Sequence, residues 1–206
     1  MNNSDKLDRD LIFDDNIFLS TENSEYSYSD LENFIHFFAD SIDYSSYNLD
    51  SPIAYLSSST DEFVLCIAAC WILGIPIIPL QPNITDKELA KIIDELLPSH
   101  VFCSETNYKR IVNDKAILLD SNFLETGLNY KTKTLGYNLA TEHSNSKVFG
   151  YFLTSGTTGN SKIVPLKRRQ LVSAAKASAK TFKPDVNHFW LLCLPLNHIG
   201  GISVIL

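Results

Sequence analysis

Between Tyr151 and Lys162 the chain reads Tyr-Phe-Leu-Thr-Ser-Gly-Thr-Thr-Gly-Asn-Ser-Lys. The hydroxyls of Thr154, Ser155, Thr157 and Thr158 are interleaved with Gly156 and Gly159, and Lys162 closes the run. Glycine tolerates positive φ, so a loop with glycines at these two places can turn several backbone N–H groups toward one point. Converging amides make an anion nest. The hydroxyls add donors and the lysine a mobile positive charge. Each hydrogen bond to a charged oxygen contributes roughly 1.5–3 kcal/mol, so the set has the chemistry to hold a polyphosphate.

A Ser/Thr/Gly-rich turn on its own is more often just a flexible loop. This one follows an apolar strand pattern and opens a stretch, from Glu142 to Asp185, with no carboxylate between its ends. Lys147, Lys162, Lys167, Arg168, Arg169, Lys176, Lys180 and Lys183 all fall inside that stretch. A single-sign block in a chain of formal net charge −7 suggests a local anion site, although most of these side chains are expected only to solvate a helix face. Two other phosphate loops do not fit. A Walker A loop needs glycine before the lysine and Ser/Thr after it, where this chain has Ser161 and Ile163. A dinucleotide fingerprint needs GxGxxG, whereas Gly156 and Gly159 are spaced GxxG.

A second candidate is His198, in Cys193-Leu-Pro-Leu-Asn-His-Ile-Gly-Gly201. A lone histidine after a strand is more often a turn or core residue, so its interest depends on the upstream loop.

The elements that must position these groups read as α/β. Ile53–Leu56 predicts a strand, Glu62–Leu73 a helix, Ile75–Leu80 a strand and Thr85–Leu97 a helix capped by Thr85 or Asp86. A strand at Val101–Cys103, a short helix near Tyr108 and a strand at Ala116–Leu119 follow. Near-continuous Val/Ile/Leu runs separated by helices are what a mainly parallel sheet flanked by helices requires. Residues 120–147 are polar and weakly periodic, and are expected to be an irregular or hairpin excursion. The alternation resumes with a strand at Val148–Thr154 and a helix at Arg168–Phe182, whose apolar stripe is Leu171, Ala175, Ala179 and Phe182, with Arg168, Arg169, Lys176 and Lys180 largely on other faces. His188–Leu194 predicts a further strand, and Ile199–Leu206 begins another element. The expected division is an acidic segment with a first helix (1–50), a first α/β subdomain (51–119), the excursion (120–147) and the start of a second α/β subdomain carrying the loop (148–206).

Composition excludes several function classes. The acidic balance argues against nucleic acid as a partner. The polar start, MNNSDKLDRD, is no signal peptide. The uncharged run from Phe63 to Leu80 is long enough to span a bilayer, but Gly74, Pro76 and Pro79 interrupt it, and a buried helix turning into a buried strand explains it better. Cys66, Cys70, Cys103 and Cys193 have no ligand set around them that resembles a zinc site, and read as reduced thiols in a cytoplasmic protein.

The loop Leu153–Lys162 resembles the signature of adenylate-forming enzymes (acyl-CoA synthetases, luciferases and peptide-synthetase adenylation domains), whose pattern is Thr-Ser-Gly-Ser/Thr-Thr-Gly-x-Pro-Lys-Gly. Ser161 replaces the usual proline and Ile163 the usual glycine. Pro195-Leu-Asn-His198-Ile-Gly-Gly201 resembles the Pro-Leu-x-His-x-x-Gly segment of acyl- and aryl-CoA ligases. Tyr28-Ser-Asp-Leu31 and Trp71-Ile-Leu-Gly-Ile-Pro-Ile-Ile-Pro-Leu80 are weaker matches in the right order.

The resemblance implies the N-terminal portion of the large domain of the adenylate-forming fold, and a two-step reaction. A carboxylic acid attacks the α-phosphate of ATP to give an acyl-adenylate and pyrophosphate, and a thiol, often coenzyme A, displaces AMP. It implies that Thr154, Ser155, Gly156, Thr157, Thr158, Gly159 and Lys162 grip the β- and γ-phosphates, with Mg²⁺ as cofactor, and that His198 orients the acid. Leu194–Val204 is most similar to the corresponding segment of the 2-succinylbenzoate–CoA ligases of menaquinone synthesis. An amino-acid adenylation domain and a non-catalytic nucleotide-binding remnant are the alternatives. The chain contains no Tyr-Gly-x-Thr-Glu, no Thr-Gly-Asp and no C-terminal lysine domain, so no Mg²⁺-binding residue is assigned. The expectation is a fragment, inactive alone, for which a homodimer is one open assembly.

Overall fold

The computed structural model describes residues 15–58, 60–111, 115–131, 145–154, 162–185 and 188–206. A two-stranded antiparallel hairpin, β1 (Ile17–Ser20) and β2 (Glu25–Ser27), leads into α1 (Tyr28–Ser41). That helix starts at Tyr28 because Ser27 and Asp30 form a reciprocal capping box, satisfying two N–H groups the first turn leaves open.

The body is one six-stranded sheet in the order β6-β5-β3-β4-β7-β8. Its strands are β3 (Ile53–Leu56), β4 (Ile77–Pro79), β5 (His100–Cys103), β6 (Ala116–Leu118), β7 (Val148–Thr154) and β8 (Lys162–Lys167). All neighbours are parallel except β7 and β8, which are antiparallel. The fold is therefore α/β and mostly parallel, as the alternating runs predict. From β3 the chain steps to β4 on one side and then to β5 on the other. The crossovers α2 (Asp61–Leu73) and α3 (Asp86–Leu96) accordingly lie on opposite faces, as right-handed connections demand.

Successive strand residues serve the two layers alternately. Ile53, Tyr55, Ile77 and Phe102 pack against α1 and α2, while Ala54, Leu56, Ile78, Val101 and Cys103 pack against Leu89 and Ile92 of α3. Burial on both faces is why these strands read as continuous apolar runs. Thr60 and Thr85 cap α2 and α3 by accepting from the N–H groups of Phe63 and Glu88. α2 is buried through nearly every turn and ends at Gly74, whose φ of 74° is a left-handed cap that a Cβ would strain. Among the described residues no helix is long and apolar enough to cross a membrane.

The structure departs from the sequence expectations at four places. Within 120–147, Ser121–Leu128 forms a helix, α5; residues 132–144 lie outside the described residues. Asp120 caps α5 by accepting from Phe123 N–H, and the Phe123 ring seats among Phe34, Phe37 and Phe102 at centroid distances of 5.9, 4.8 and 5.7 Å. Lys162–Lys167, on which no strand was expected, is an edge strand, with Pro165 at a position a central strand would not tolerate. His188–Leu194, expected to be a strand, forms none, because no neighbouring strand lies beside it among the described residues. On α6 (Arg168–Phe182) Leu171 is buried, but Ala175, Ala179 and Phe182 are exposed, and Arg168 is buried instead of facing solvent. A short helix, α4 (Glu105–Tyr108), and the last helix, α7 (Ile199–Ile205), complete the chain.

Candidate active site

β7 is the element that delivers the loop. Phe149 and Phe152 point into the α2 layer, and Tyr151 and Leu153 into the α3 layer. A register shift between Val148 and Gly150 puts the two phenylalanines on the same face despite their three-residue spacing. Because β7 runs parallel to β4, it ends at the same edge of the sheet as the C-termini of β3, β4, β5 and β6. That carboxyl edge is where open α/β sheets bind ligands.

The chain leaves the edge at Thr154 and returns at Lys162, which are register partners across the β7–β8 hairpin. The Thr154 hydroxyl donates to the Lys162 carbonyl at 3.4 Å, a long bond that leaves its lone pairs available. Both residues are exposed. Ser155, Gly156, Thr157, Thr158 and Gly159, with Asn160 and Ser161, lie outside the described residues. Sequence reasoning places a loop after a strand. The structure adds that the loop closes a hairpin, so its two ends are fixed by backbone pairing from Val148–Lys167 to Thr154–Lys162. The alternation Ile163, Pro165, Leu166 carried only a weak signal for this second arm.

Arg168, the first residue of α6, fastens the base of the hairpin. Its N–H donates to Lys147 C=O at 3.0 Å, and its Nη1 donates to Trp71 C=O at 2.7 Å. Its guanidinium carbon lies 3.7 Å from the centre of the Trp71 ring. Trp71 in turn meets Phe149 of β7 edge-to-face at 4.9 Å. Burial lowers the Arg168 pKa to about 10, so the side chain remains a cation at neutral pH. The π face and the carbonyl dipole compensate its lost hydration. Arg168 was missed as a structural residue because a periodicity argument assigns any charged side chain to the solvent face.

His198 occupies the N-cap of α7, with φ −120° and ψ 147°. Its C=O accepts from Gly201 and Ile202 at 3.1 and 3.2 Å, and its own N–H donates to Pro195 C=O at 3.1 Å. The ring is exposed, with Nε2 at 3.5 Å from Asn197 Nδ2. A Cβ on Gly201 would lie 2.5 Å from the Pro195 oxygen and 2.6 Å from the Leu194 oxygen, so only glycine permits this tight approach of helix and turn. Leu196 and Ile202 are buried in the same core cluster as Phe149, Phe152 and α2. The histidine turn and the hairpin are thus mounted on one apolar layer.

This geometry supplies hydroxyl and cationic donors on a rigid mount, with an exposed imidazole set on the same core. Among the described residues no group of three or more His, Cys, Asp or Glu side chains is gathered for a metal ion. The model of AMP-binding enzymes matches residues 8–206, nearly the whole chain.

The chain belongs to the AMP-binding enzyme family.

Among its curated relatives in that family, the 2-succinylbenzoate–CoA ligase of Lactococcus lactis subsp. lactis (strain IL1403) is 28% identical over 156 residues, covering 76% of this chain and 33% of the relative. The 2-succinylbenzoate–CoA ligase of Staphylococcus epidermidis (strain ATCC 35984) is 30% identical over 156 residues, covering 74% and 30%. The chain therefore spans about a third of the length of these relatives. The fold matches o-succinylbenzoate CoA synthetase (MenE) from Bacillus subtilis in complex with the acyl-adenylate intermediate OSB-AMP. That match has a TM-score of 0.75 and 21% identity, covering 96% of this chain and 50% of that one. ATP-bound MatB from Rhodopseudomonas palustris has a TM-score of 0.75 and 19% identity, covering 88% and 37%. The sequence-derived membership and fold class both hold.

Proposed function

We propose that this chain is the phosphate-gripping part of an AMP-forming acid–thiol ligase, with 2-succinylbenzoate as the acid and coenzyme A as the thiol. The observation that carries the reading is the pairing of Thr154 with Lys162 at the carboxyl edge of the sheet, which fixes both ends of a family-type loop. Thr154, Ser155, Thr157, Thr158, the backbone around Gly156 and Gly159, and Lys162 donate to the β- and γ-phosphate oxygens of ATP. With no carboxylate between Glu142 and Asp185, the stretch that carries the loop brings no like charge of its own toward the nucleotide. His198 orients the incoming carboxylate so that its oxygen meets the α-phosphorus in line with departing pyrophosphate.

Donors that are already positioned stabilise the charge that grows on the phosphoryl oxygens during that displacement. Mg²⁺ would supply further charge neutralisation. The described residues offer no cluster of His, Cys, Asp or Glu side chains to hold it. A MenE solved with ATP and a magnesium ion, and relatives named as 2-succinylbenzoate–CoA ligases, support the choice of nucleotide, cofactor and acid. The free thiols Cys66, Cys70, Cys103 and Cys193 suit a reducing compartment such as the cytoplasm.

These 206 residues contain neither a Tyr-Gly-x-Thr-Glu nor a Thr-Gly-Asp segment. The reading therefore expects ATP binding without turnover. Incubating the purified chain with ATP, Mg²⁺, 2-succinylbenzoate and coenzyme A should give no thioester by mass spectrometry, while equilibrium dialysis shows ATP retained. Thioester formation would refute the assignment of this chain as a part, and failure to retain ATP would refute the phosphate grip.

A further inference from the structure

The hairpin that carries Thr154 and Lys162 is joined to the rest of the sheet near its base. Among the described residues the register pair that links β7 to β4 is Ile77–Gly150. From Tyr151 to Thr154, and along the facing arm from Lys162 to Pro165, the two strands pair with each other and with no further described strand. This outer half is a cantilever, held by the side chains it lays on the layers beneath. Phe152 packs into the α2 layer, and Tyr151, Leu153 and Ile163 pack against the α3 layer. On the outer half of β8 the other side chains point away from both layers: Lys162, Val164 and Pro165 are exposed. Ile163 is therefore the side chain that ties the returning arm down next to Lys162. It is the register partner of Leu153, on the same side of the hairpin, and such cross-strand pairs are what stabilise a ladder. Isoleucine is stiff at χ1 and favours extended backbone. Residue 163 thus fills the contact and holds the chain straight into Lys162. Glycine, which the adenylate-forming pattern carries here, has neither property.

We propose that Ile163 is a positioning residue for Lys162. Its contact with Leu153 and the α3 layer keeps β8 paired as far as Lys162, so the ammonium group starts from a fixed strand end when it meets the β- and γ-phosphates of ATP. The inference rests on the proposed phosphate grip and adds to it a residue that touches no phosphate. Without the isoleucine contact β8 frays back toward Val164. The residues released must then be ordered again when the nucleotide binds, and that ordering is taken from the affinity. Ile163 is half-buried on an edge strand, so truncating it leaves the rest of the core in place.

The test compares Ile163→Ala and Ile163→Val in the 206-residue chain, each with and without Lys162→Ala. In the free chain the Cα and Cβ chemical shifts of residue 162 report its backbone. They should be strand-like in the parent and in Ile163→Val, and move toward coil values in Ile163→Ala. In titrations with ATP followed by phosphorus NMR, Ile163→Ala should weaken binding by about three- to tenfold, the loss expected when one ordered long side chain must be immobilised anew. Ile163→Val, which keeps the β-branch, should recover most of the parent's affinity. Once residue 162 is alanine, Ile163→Ala should cost nothing more, because the group it positions is gone. A residue that only supported the fold would weaken ATP binding equally in both backgrounds. Unmoved Lys162 shifts in Ile163→Ala, or an equal loss of affinity in both backgrounds, overturns the inference. Parent-like ATP binding by Ile163→Ala beside a weakened Lys162→Ala also overturns it, while leaving the phosphate grip standing. ATP left unbound by the parent chain overturns the grip itself, and Ile163 loses its role with it.

Discussion

Replacing Gly201 with alanine tests whether the His198 turn is held as described. The new Cβ would lie 2.5 Å from Pro195 O, 2.6 Å from Leu194 O and 2.9 Å from Pro195 C, and real Cβ contacts do not fall below 3.0 Å. All three obstacles are backbone, and Pro195 O is already engaged by His198 N–H. No side chain can swing aside, so helix and turn must part by about half an ångström. Overpacking of this kind costs about 1–3 kcal/mol, partly offset by the roughly 0.5–1 kcal/mol that alanine gains over glycine inside a helix. The net loss, centred on about 1 kcal/mol, corresponds to a melting temperature lower by about 2–4 °C in a chain of this size. Gly200→Ala is the control, since its Cβ meets only Leu194 Cδ1, at 2.9 Å, the tip of a side chain that can rotate. Scanning calorimetry should show Gly201→Ala melting early and Gly200→Ala unchanged or higher. The His198 imidazole resonances should move further in the first variant than in the second. Equal melting of the two variants, or a Gly201→Ala chain as stable as the parent, would refute the packing argument.

Arg168→Ala removes the guanidinium over Trp71 and leaves the Trp71 carbonyl with only the long 3.4 Å bond from Gly74 N–H. Urea unfolding should show a loss of about 1–3 kcal/mol, and in a Trp190→Phe background the Trp71 emission should shift. Arg168→Lys should recover only part of the loss, because an ammonium cannot lie flat on the ring. His100 gives an acid sensitivity. Its Nδ1 is buried with no hydrogen-bond partner among the described residues, its ring stacks on Tyr47 at 6.2 Å, and burial followed by the Lys115 charge lowers its pKa from 6.5. The unfolded chain therefore takes up a proton before the folded one does. Stability is full above about 6.5 and falls as pH drops toward the folded value. His100→Phe, which keeps a ring against Tyr47, should narrow the gap between denaturant midpoints at pH 7 and pH 5; an unchanged gap would remove His100 from the cause.

Much of the scaffold is legible in the sequence because burial on both faces leaves a strong imprint. Ile53–Leu56 is a strand with the predicted bounds, α6 runs from Arg168 to Phe182 as the pattern requires, and Thr85 caps α3. What failed to show depends on contacts from far along the chain. α5 exists because Phe123 finds Phe34 and Phe102, and no local periodicity announces that. His188–Leu194 has strand composition and no strand partner among the described residues, so propensity without pairing gave the wrong expectation. Arg168 was assigned outward by its charge, whereas an aromatic face and a carbonyl make its burial tolerable. At the site, the hydroxyls, glycines and lysine were legible as residue types, but the hairpin that pairs Thr154 with Lys162 was not, because the edge strand β8 is interrupted by Pro165 and carries only a weak apolar alternation.

The grip of this hairpin loop on a polyphosphate is most directly tested by phosphorus NMR of ATP titrated with the 206-residue chain and with Lys162→Ala. The account predicts that the β and γ resonances broaden and shift with the parent chain. Lys162→Ala, which removes a charge-assisted contact of roughly 1.5–3 kcal/mol, should weaken binding by about 10- to 150-fold. ATP signals that the parent chain leaves unmoved, or that Lys162→Ala perturbs equally, would contradict it.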